Sequence, residues 1–225
     1  MSAPHQGGQG IRRLVLDVAA GYAAAWAVGL AFGFALSRTS AWAAGAGWER
    51  ETLRWFHDHA LPGWLDALMI AAPYVGTNLT VLPAMIVIGL VLWRKFDRPL
   101  TAAQLLTVSI GSLSLNPTMK YLLDRPRPDL YPLRGMWTWA SYPSGHLILT
   151  PALYFTISML LYQSRGWKWP FYLSALVILL TGYSRLYLSV HWPTDLVGGV
   201  LIGVTWLLTS WRAFARHRAR IRSAA

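Results

Sequence analysis

Apolar residues along this chain come in blocks long enough to cross a bilayer, separated by short segments that hold most of the charge. About 20 mostly apolar residues suffice for a helix to span the hydrocarbon core. Residues 14–36 form such a block, with a single charge, Asp17, near its start. Residues 64–93 are longer and are broken by Pro73, Gly76 and Pro83, which predicts a short interfacial helix and then a span over 78–93. Further spans are predicted over 100–119, 146–162, 167–183 and 196–211, the last carrying Gly198, Gly199 and Gly203 for close helix packing. Residues 47–59 mix charges with aromatic side chains and read as an amphipathic helix lying at the membrane surface. The pattern predicts an all-α integral membrane bundle of six transmembrane helices, with a short amphipathic helix between the first two, as one domain over residues 1–225. The 14–36 block exceeds the roughly 7–15 apolar residues of a signal-peptide core, so it is read as a span.

Composition supports the membrane reading. Hydrophobic residues make up 55% of the chain and charged residues 13%, about half the charge of an ordinary soluble domain, which carries roughly 25%. The absence of cysteine excludes disulfides, thiolate metal sites and a cysteine nucleophile. The net charge of +11 and the 13 Trp residues fit basic loops against anionic lipid and an interfacial aromatic belt better than a nucleic-acid partner. Six spans put both termini on one side. Twelve of the 20 Lys and Arg residues then fall on that side, including the tail 212–222, and eight on the other. The excess marks the terminal side as cytoplasmic.

The opposite, extracytoplasmic side holds three polar segments at span ends. The first contains Lys120 and Arg127-Pro128; the second is Pro143-Ser144-Gly145-His146; the third runs from Ser184-Arg185 through His191 to Asp195. Distant in sequence, they lie on one face and can converge. Lys120, Arg127 and Arg185 form a cation cluster suited to a multiply charged anion, Arg through a planar fork and Lys as a point charge. Ser144-Gly145 ahead of a helix offers a hydroxyl and free N–H groups at the positive helix end. His191 and Asp195, four apart beside Pro193, are read onto one helical face. The carboxylate then fixes the ring tautomer and frees the other nitrogen to attack. His146 is a second imidazole, able to protonate a leaving oxygen.

These segments match, in order and spacing, the three-part signature of the type-2 phosphatidic acid phosphatase superfamily. That signature runs Lys, six residues, Arg-Pro; Pro-Ser-Gly-His; and Ser-Arg, five residues, His, three residues, Asp. The chain resembles the membrane lipid phosphatases of that superfamily over 120–195, while the first 119 residues carry no motif. The resemblance implies His191 as a nucleophile forming a phosphohistidine, Asp195 as its orienting group and His146 as acid for the leaving group. It implies Lys120, Arg127, Ser144, Gly145 and Arg185 as the phosphate cradle. No metal and no cofactor is implied. The expected substrate is a membrane lipid phosphate or diphosphate on the outer face of the bacterial inner membrane. Undecaprenyl diphosphate, hydrolysed to undecaprenyl phosphate, comes first, with phosphatidylglycerophosphate and phosphatidate as alternatives.

Other readings compete at particular residues. Arg125 and Arg134 read as ordinary loop charges. Ser144 also suits a helix N-cap. His57 and His59 diverge on a helix and do not read as a metal site. An intramembrane serine protease with Ser144 as nucleophile and His191 as base leaves the cation cluster without a role. A non-catalytic lipid transporter leaves His191 without one. Vanadate-dependent haloperoxidases share the signature, but their soluble architecture does not suit six spans.

Overall fold

The computed structural model describes residues 4–135 and 137–224. Its described residues are helical with connecting loops. A long α1 (Pro4–Ser37) is followed by a single turn α2 (Ala41–Ala44), then α3 (Gly47–Asp58) and α4 (Gly63–Ala71). A 3₁₀ turn over Ala72–Gly76 leads into α5 (Asn78–Arg94). Four more helices complete the bundle: α6 (Pro99–Leu123), α7 (Gly145–Arg165), α8 (Trp169–Tyr187) and α9 (Pro193–Ala224). The six apolar blocks thus appear as α1, α5, α6, α7, α8 and α9, and the break predicted around Pro73 and Gly76 is the 3₁₀ turn. Polar termini extend the last helix well beyond the apolar block, to Ala224.

Gly8–Ser37, Gly145–Arg165 and Pro193–Ser223 are each long and apolar enough to cross a membrane. Gly63–Gly76 and Leu79–Arg94, bent by 46°, are together apolar enough for a broken span or a re-entrant loop. The chain is a multi-pass membrane protein. Helices α6 and α8 have the length, at 25 and 19 residues, but fall outside that set. Both turn polar side chains inward. Helix α6 buries Gln104, Ser109, Ser112 and Lys120, and α8 buries Ser174, Thr181, Ser184 and Arg185. Polar side chains turned toward the bundle lower a helix's mean hydropathy without meeting lipid.

Helix α1 packs along α9, and α7 is central, touching α6, α8 and α9. The core between them holds Ala25, Val108, Leu115, Met119, Ile148, Ile202 and Trp206. The Trp206 indole is satisfied by donating to Val108 O at 3.0 Å. At one end, Asp17 faces Arg216 at 3.7 Å and Arg220 at 3.9 Å, so the early part of α1 lies against the late part of α9. At the other end, loop 124–144 folds over the bundle and is moored to α1 by Tyr142, whose hydroxyl donates to Gly29 O at 2.7 Å. Helix α3 is docked on α8 and α9. It buries Glu49, Leu53 and Phe56 while Trp48 and Trp55 face outward.

Candidate active site

The motif residues lie at helix ends or in the loops just beyond them, where the apolar blocks stop. Lys120 sits in the last turn of α6, which closes on Asp124 in the left-handed region at φ 41°. Its ammonium is buried and donates to Ala140 O and to Ser141 O, the latter at 3.0 Å. Arg127 lies in the loop and holds it in shape, donating from Nε to Thr138 O at 2.5 Å, from Nη2 to Thr138 Oγ1 at 3.2 Å, and from Nη1 to Val190 O. Burial pulls the Arg127 guanidinium down to about 10, which leaves it cationic at neutral pH.

Helix α7 starts at Gly145, with Ser144 at its N-cap. A capping serine ordinarily gives its hydroxyl to the first turn, but Ser144 makes no such bond, and its Oγ is buried without a hydrogen-bond partner. Its backbone N–H instead donates to Asp195 O at 3.1 Å, tying the start of α7 to α9. Gly145 lies close against α6, where a Cβ would displace the Asn116 amide. His146 follows in the first turn, with Nε2 buried and unpartnered. Arg185 is inside the last turn of α8 and donates from Nη2 to Ser184 Oγ at 3.2 Å. Helix α8 therefore runs past the predicted 167–183 block and includes Arg185.

The placement of His191 also departs from expectation. Helix α9 begins at Pro193, so His191 stands on the bend ahead of it while Asp195 is in its first turn. The pair is still close, Nδ1 standing 3.5 Å from Asp195 Oδ2 without hydrogen-bond geometry. That same oxygen accepts Ser141 Oγ at 2.5 Å and Trp192 N at 2.8 Å, which fixes the carboxylate. Burial pushes His191 down to about 3 in spite of Asp195, so the ring is neutral at physiological pH.

A cavity of about 290 Å³ brings the motifs together, with Lys120, Gly145, His146 and His191 in its wall beside Asn116 and Trp137. Arg127, Ser144 and Arg185 are not in that wall. Arg127 is nonetheless within electrostatic reach of Lys120, Arg185 and His191. The wall has a neutral imidazole, a second imidazole and the Lys120 ammonium, with the Arg127 charge close enough to act on them. It suits attack on a phosphoryl group better than acyl transfer, which needs no such cations.

Arg125 corrects the sequence reading. Far from a solvated loop charge, it is fully buried, donating to Asp195 Oδ1 and Thr194 Oγ1, each at 2.7 Å. Its other partners include Ala41 O at 2.8 Å and Trp42 O at 3.1 Å. The doubled Arg-Pro at 125–128 was the available signal, but only its second Arg is in the signature. Arg134 behaves as read. It is 44% exposed and pairs with Asp66 at 2.8 Å, a contact that also takes the Tyr187 hydroxyl at 2.7 Å. His57 stacks on Tyr131 at 3.7 Å, and His59 bonds Trp55 O through Nδ1 at 2.8 Å.

The family model described as "PAP2 superfamily" matches residues 101–219, which contain every motif residue. Phosphatidylglycerophosphatase B of Bacillus subtilis is 30% identical over 147 residues, 63% of this chain and 71% of that one. An undecaprenyl-diphosphatase of Sulfolobus acidocaldarius is 33% identical over 126 residues, 54% of this chain and 53% of that one. The crystal structure of the transmembrane PAP2-type phosphatidylglycerolphosphate phosphatase from Bacillus subtilis superposes with a TM-score of 0.70 at 25% identity, covering 85% of this chain and 94% of that one. With a shared bundle and a family match over more than half its length, this chain belongs to the PAP2 superfamily.

Proposed function

We propose that the chain is an integral-membrane lipid phosphatase working through a phosphohistidine on His191. The observation that carries this is the single cavity walled by Lys120, Gly145, His146 and His191, residues from all three motifs. His191 Nδ1 is turned to Asp195, so Nε2 is the nitrogen that attacks phosphorus. As the bond forms, the ring gains positive charge, which the Asp195 carboxylate stabilises. His146 protonates the departing oxygen and then takes a proton from the water that releases phosphate. Lys120, Arg127, Arg185, the Ser144 hydroxyl and the N–H groups at the start of α7 hold the phosphoryl oxygens, supplying the charge that a metal supplies in other phosphatases. The Ser144 hydroxyl has no histidine partner, which removes the activation a serine protease needs.

In this reading α6 and α8 complete six spans. The cavity faces the extracytoplasmic side of the inner membrane, where a head group stays at the interface while its tails remain in lipid. An isoprenoid diphosphate such as undecaprenyl diphosphate suits a site with three cations. Phosphatidylglycerophosphate is the second reading, favoured by the broader coverage of the Bacillus subtilis phosphatidylglycerophosphatase in sequence and in structure. The test is phosphate release by purified protein in mixed micelles containing equal amounts of the two lipids and phosphatidate. Release is expected to persist in EDTA and to vanish in His191→Ala, with the diphosphate showing the highest kcat/KM. Undiminished turnover in His191→Ala would overturn the mechanism. Preference for a glycerolipid monophosphate would overturn only the first-choice substrate.

A further inference from the structure

Glu49 lies in the first turn of α3, a helix whose outer face shows Trp48 and Trp55, yet its carboxylate is fully buried. A buried carboxylate persists only where donors replace its lost water. Four do so here. Oε1 accepts Thr194 N at 3.1 Å and Thr194 Oγ1 at 2.6 Å, and Oε2 accepts Ala46 N at 2.9 Å and Arg125 Nη2 at 3.4 Å. The Arg125 guanidinium turns its other terminal nitrogen, Nη1, to Asp195 Oδ1 at 2.7 Å. With Ala41 O, Trp42 O and Thr194 Oγ1, all five of its N–H groups are committed to protein, and none is left for a phosphate. Arg125 therefore does not belong to the cradle.

The result is a cation between two carboxylates, with His191 Nδ1 beyond the second. Glu49, Arg125 and Asp195 together carry one negative charge, whereas Arg125 and Asp195 alone would carry none. Because Glu49, Arg125 and Asp195 are all buried, that difference is screened less at the ring than it would be in water. Glu49 also takes both the N–H and the hydroxyl of Thr194, the residue directly before Asp195, and so holds the first turn of α9 in register. We propose that Glu49 and Arg125 are positioning residues for His191. Glu49 offsets the charge of Arg125, so that Asp195 keeps its negative charge and its aim on Nδ1. This inference rests on the reading of His191 as the nucleophile.

The experiment compares Glu49→Gln, Arg125→Met, the double variant and His191→Ala, each purified as a monodisperse peak in detergent. Phosphatidylglycerophosphate and undecaprenyl diphosphate serve as substrates, and inorganic phosphate as product inhibitor. Glu49→Gln keeps the shape and loses the charge. Its kcat is expected to fall roughly tenfold to hundredfold, the scale of losing a partner that orients an active side chain. Its KM and phosphate inhibition should stay within about twofold, because the cradle is untouched. The double variant should recover part of the kcat lost in Glu49→Gln, since Asp195 is no longer opposed by an unbalanced cation. A purely structural role makes the double variant at least as impaired as either single one, and that result overturns the inference. So does a Glu49→Gln enzyme with unchanged kcat, or one whose loss lies only in KM or in folded yield. An active His191→Ala would instead defeat the nucleophile assignment itself, a result separable from failure at Glu49.

Discussion

Asp195 shows how many groups hold a single carboxylate in place. Ser141, Trp192 and Arg125 all donate to it, leaving its Oδ2 facing His191 Nδ1 at 3.5 Å. His191 itself has a measurable consequence for stability. Its folded value of about 3 lies below the ordinary histidine value of 6.5. Between these limits the unfolded chain binds a proton that the native ring refuses. The contribution is thus complete above about pH 6.5 and is lost as pH falls toward 3. Thermal unfolding in detergent from pH 7 to pH 4 is expected to show a steeper fall in Tm for the wild type than for His191→Asn, which has no proton to gain. Parallel curves for the two proteins would show that His191 is not held neutral by burial.

Helix contacts place these residues. The N-terminus of α7 and the first turns of α9 meet at Gly199, where a Cβ would stand 2.6 Å from Ser144 O and 2.9 Å from Leu147 Cβ. An alanine there forces α9 away from α7, at about 1–3 kcal/mol for overpacking. It also strains the 3.1 Å bond from Ser144 N to Asp195 O, which joins the cradle to the histidine–aspartate pair. Gly199→Ala is expected to lower both Tm and kcat. Gly182→Ala, whose added methyl meets nothing nearer than Leu196 Cδ2 at 3.7 Å, serves as the control and should change neither greatly. Equal effects from the two substitutions would show that the α7–α9 approach is not what aligns the site. Helix α3 has the same kind of role. Its docking against α8 and α9 carries Glu49 to Thr194 and Arg125, while Trp48 and Trp55 remain outward, where indoles favour a membrane interface.

The bundle as a whole separates two ends. One gathers the last turns of α6 and α8 with the first turns of α7 and α9, and holds the cavity. The other gathers the early part of α1, the late part of α9 and Arg218, which donates to Gln104 Oε1 at 2.6 Å. With the excess of Lys and Arg at the second end, reporters fused after Lys95 and after Gly135 are expected on opposite sides of the membrane, Lys95 in the cytoplasm. Both reporters on one side would remove α6 from the set of spans. The exposed apolar faces suit helices set across a bilayer, whichever end is cytoplasmic. Ile86, Val87 and Val91 on α5, and Tyr172, Leu176 and Leu179 on α8, are exposed apolar side chains of the kind a bilayer would cover.

The positions of the helices were determined by the chain's own apolar pattern, because a backbone in hydrocarbon must satisfy its hydrogen bonds within each segment. Motif residues confined to block ends on one face followed directly, and with them the expectation that Lys120, His146 and His191 meet. Only the folded bundle could show which polar residues of α6 and α8 turn inward, since mean hydropathy does not distinguish a buried serine from one in lipid. The fold likewise decided that the Ser144 hydroxyl is left uncapped and that His191 stands ahead of its helix. The link from Glu49 to Arg125 spans 76 residues and that from Glu49 to Thr194 spans 145. No local pattern marks such pairs. They exist because α3, loop 124–144 and α9 pack at one end of the bundle, where a charge shielded from water has to find its counterpart.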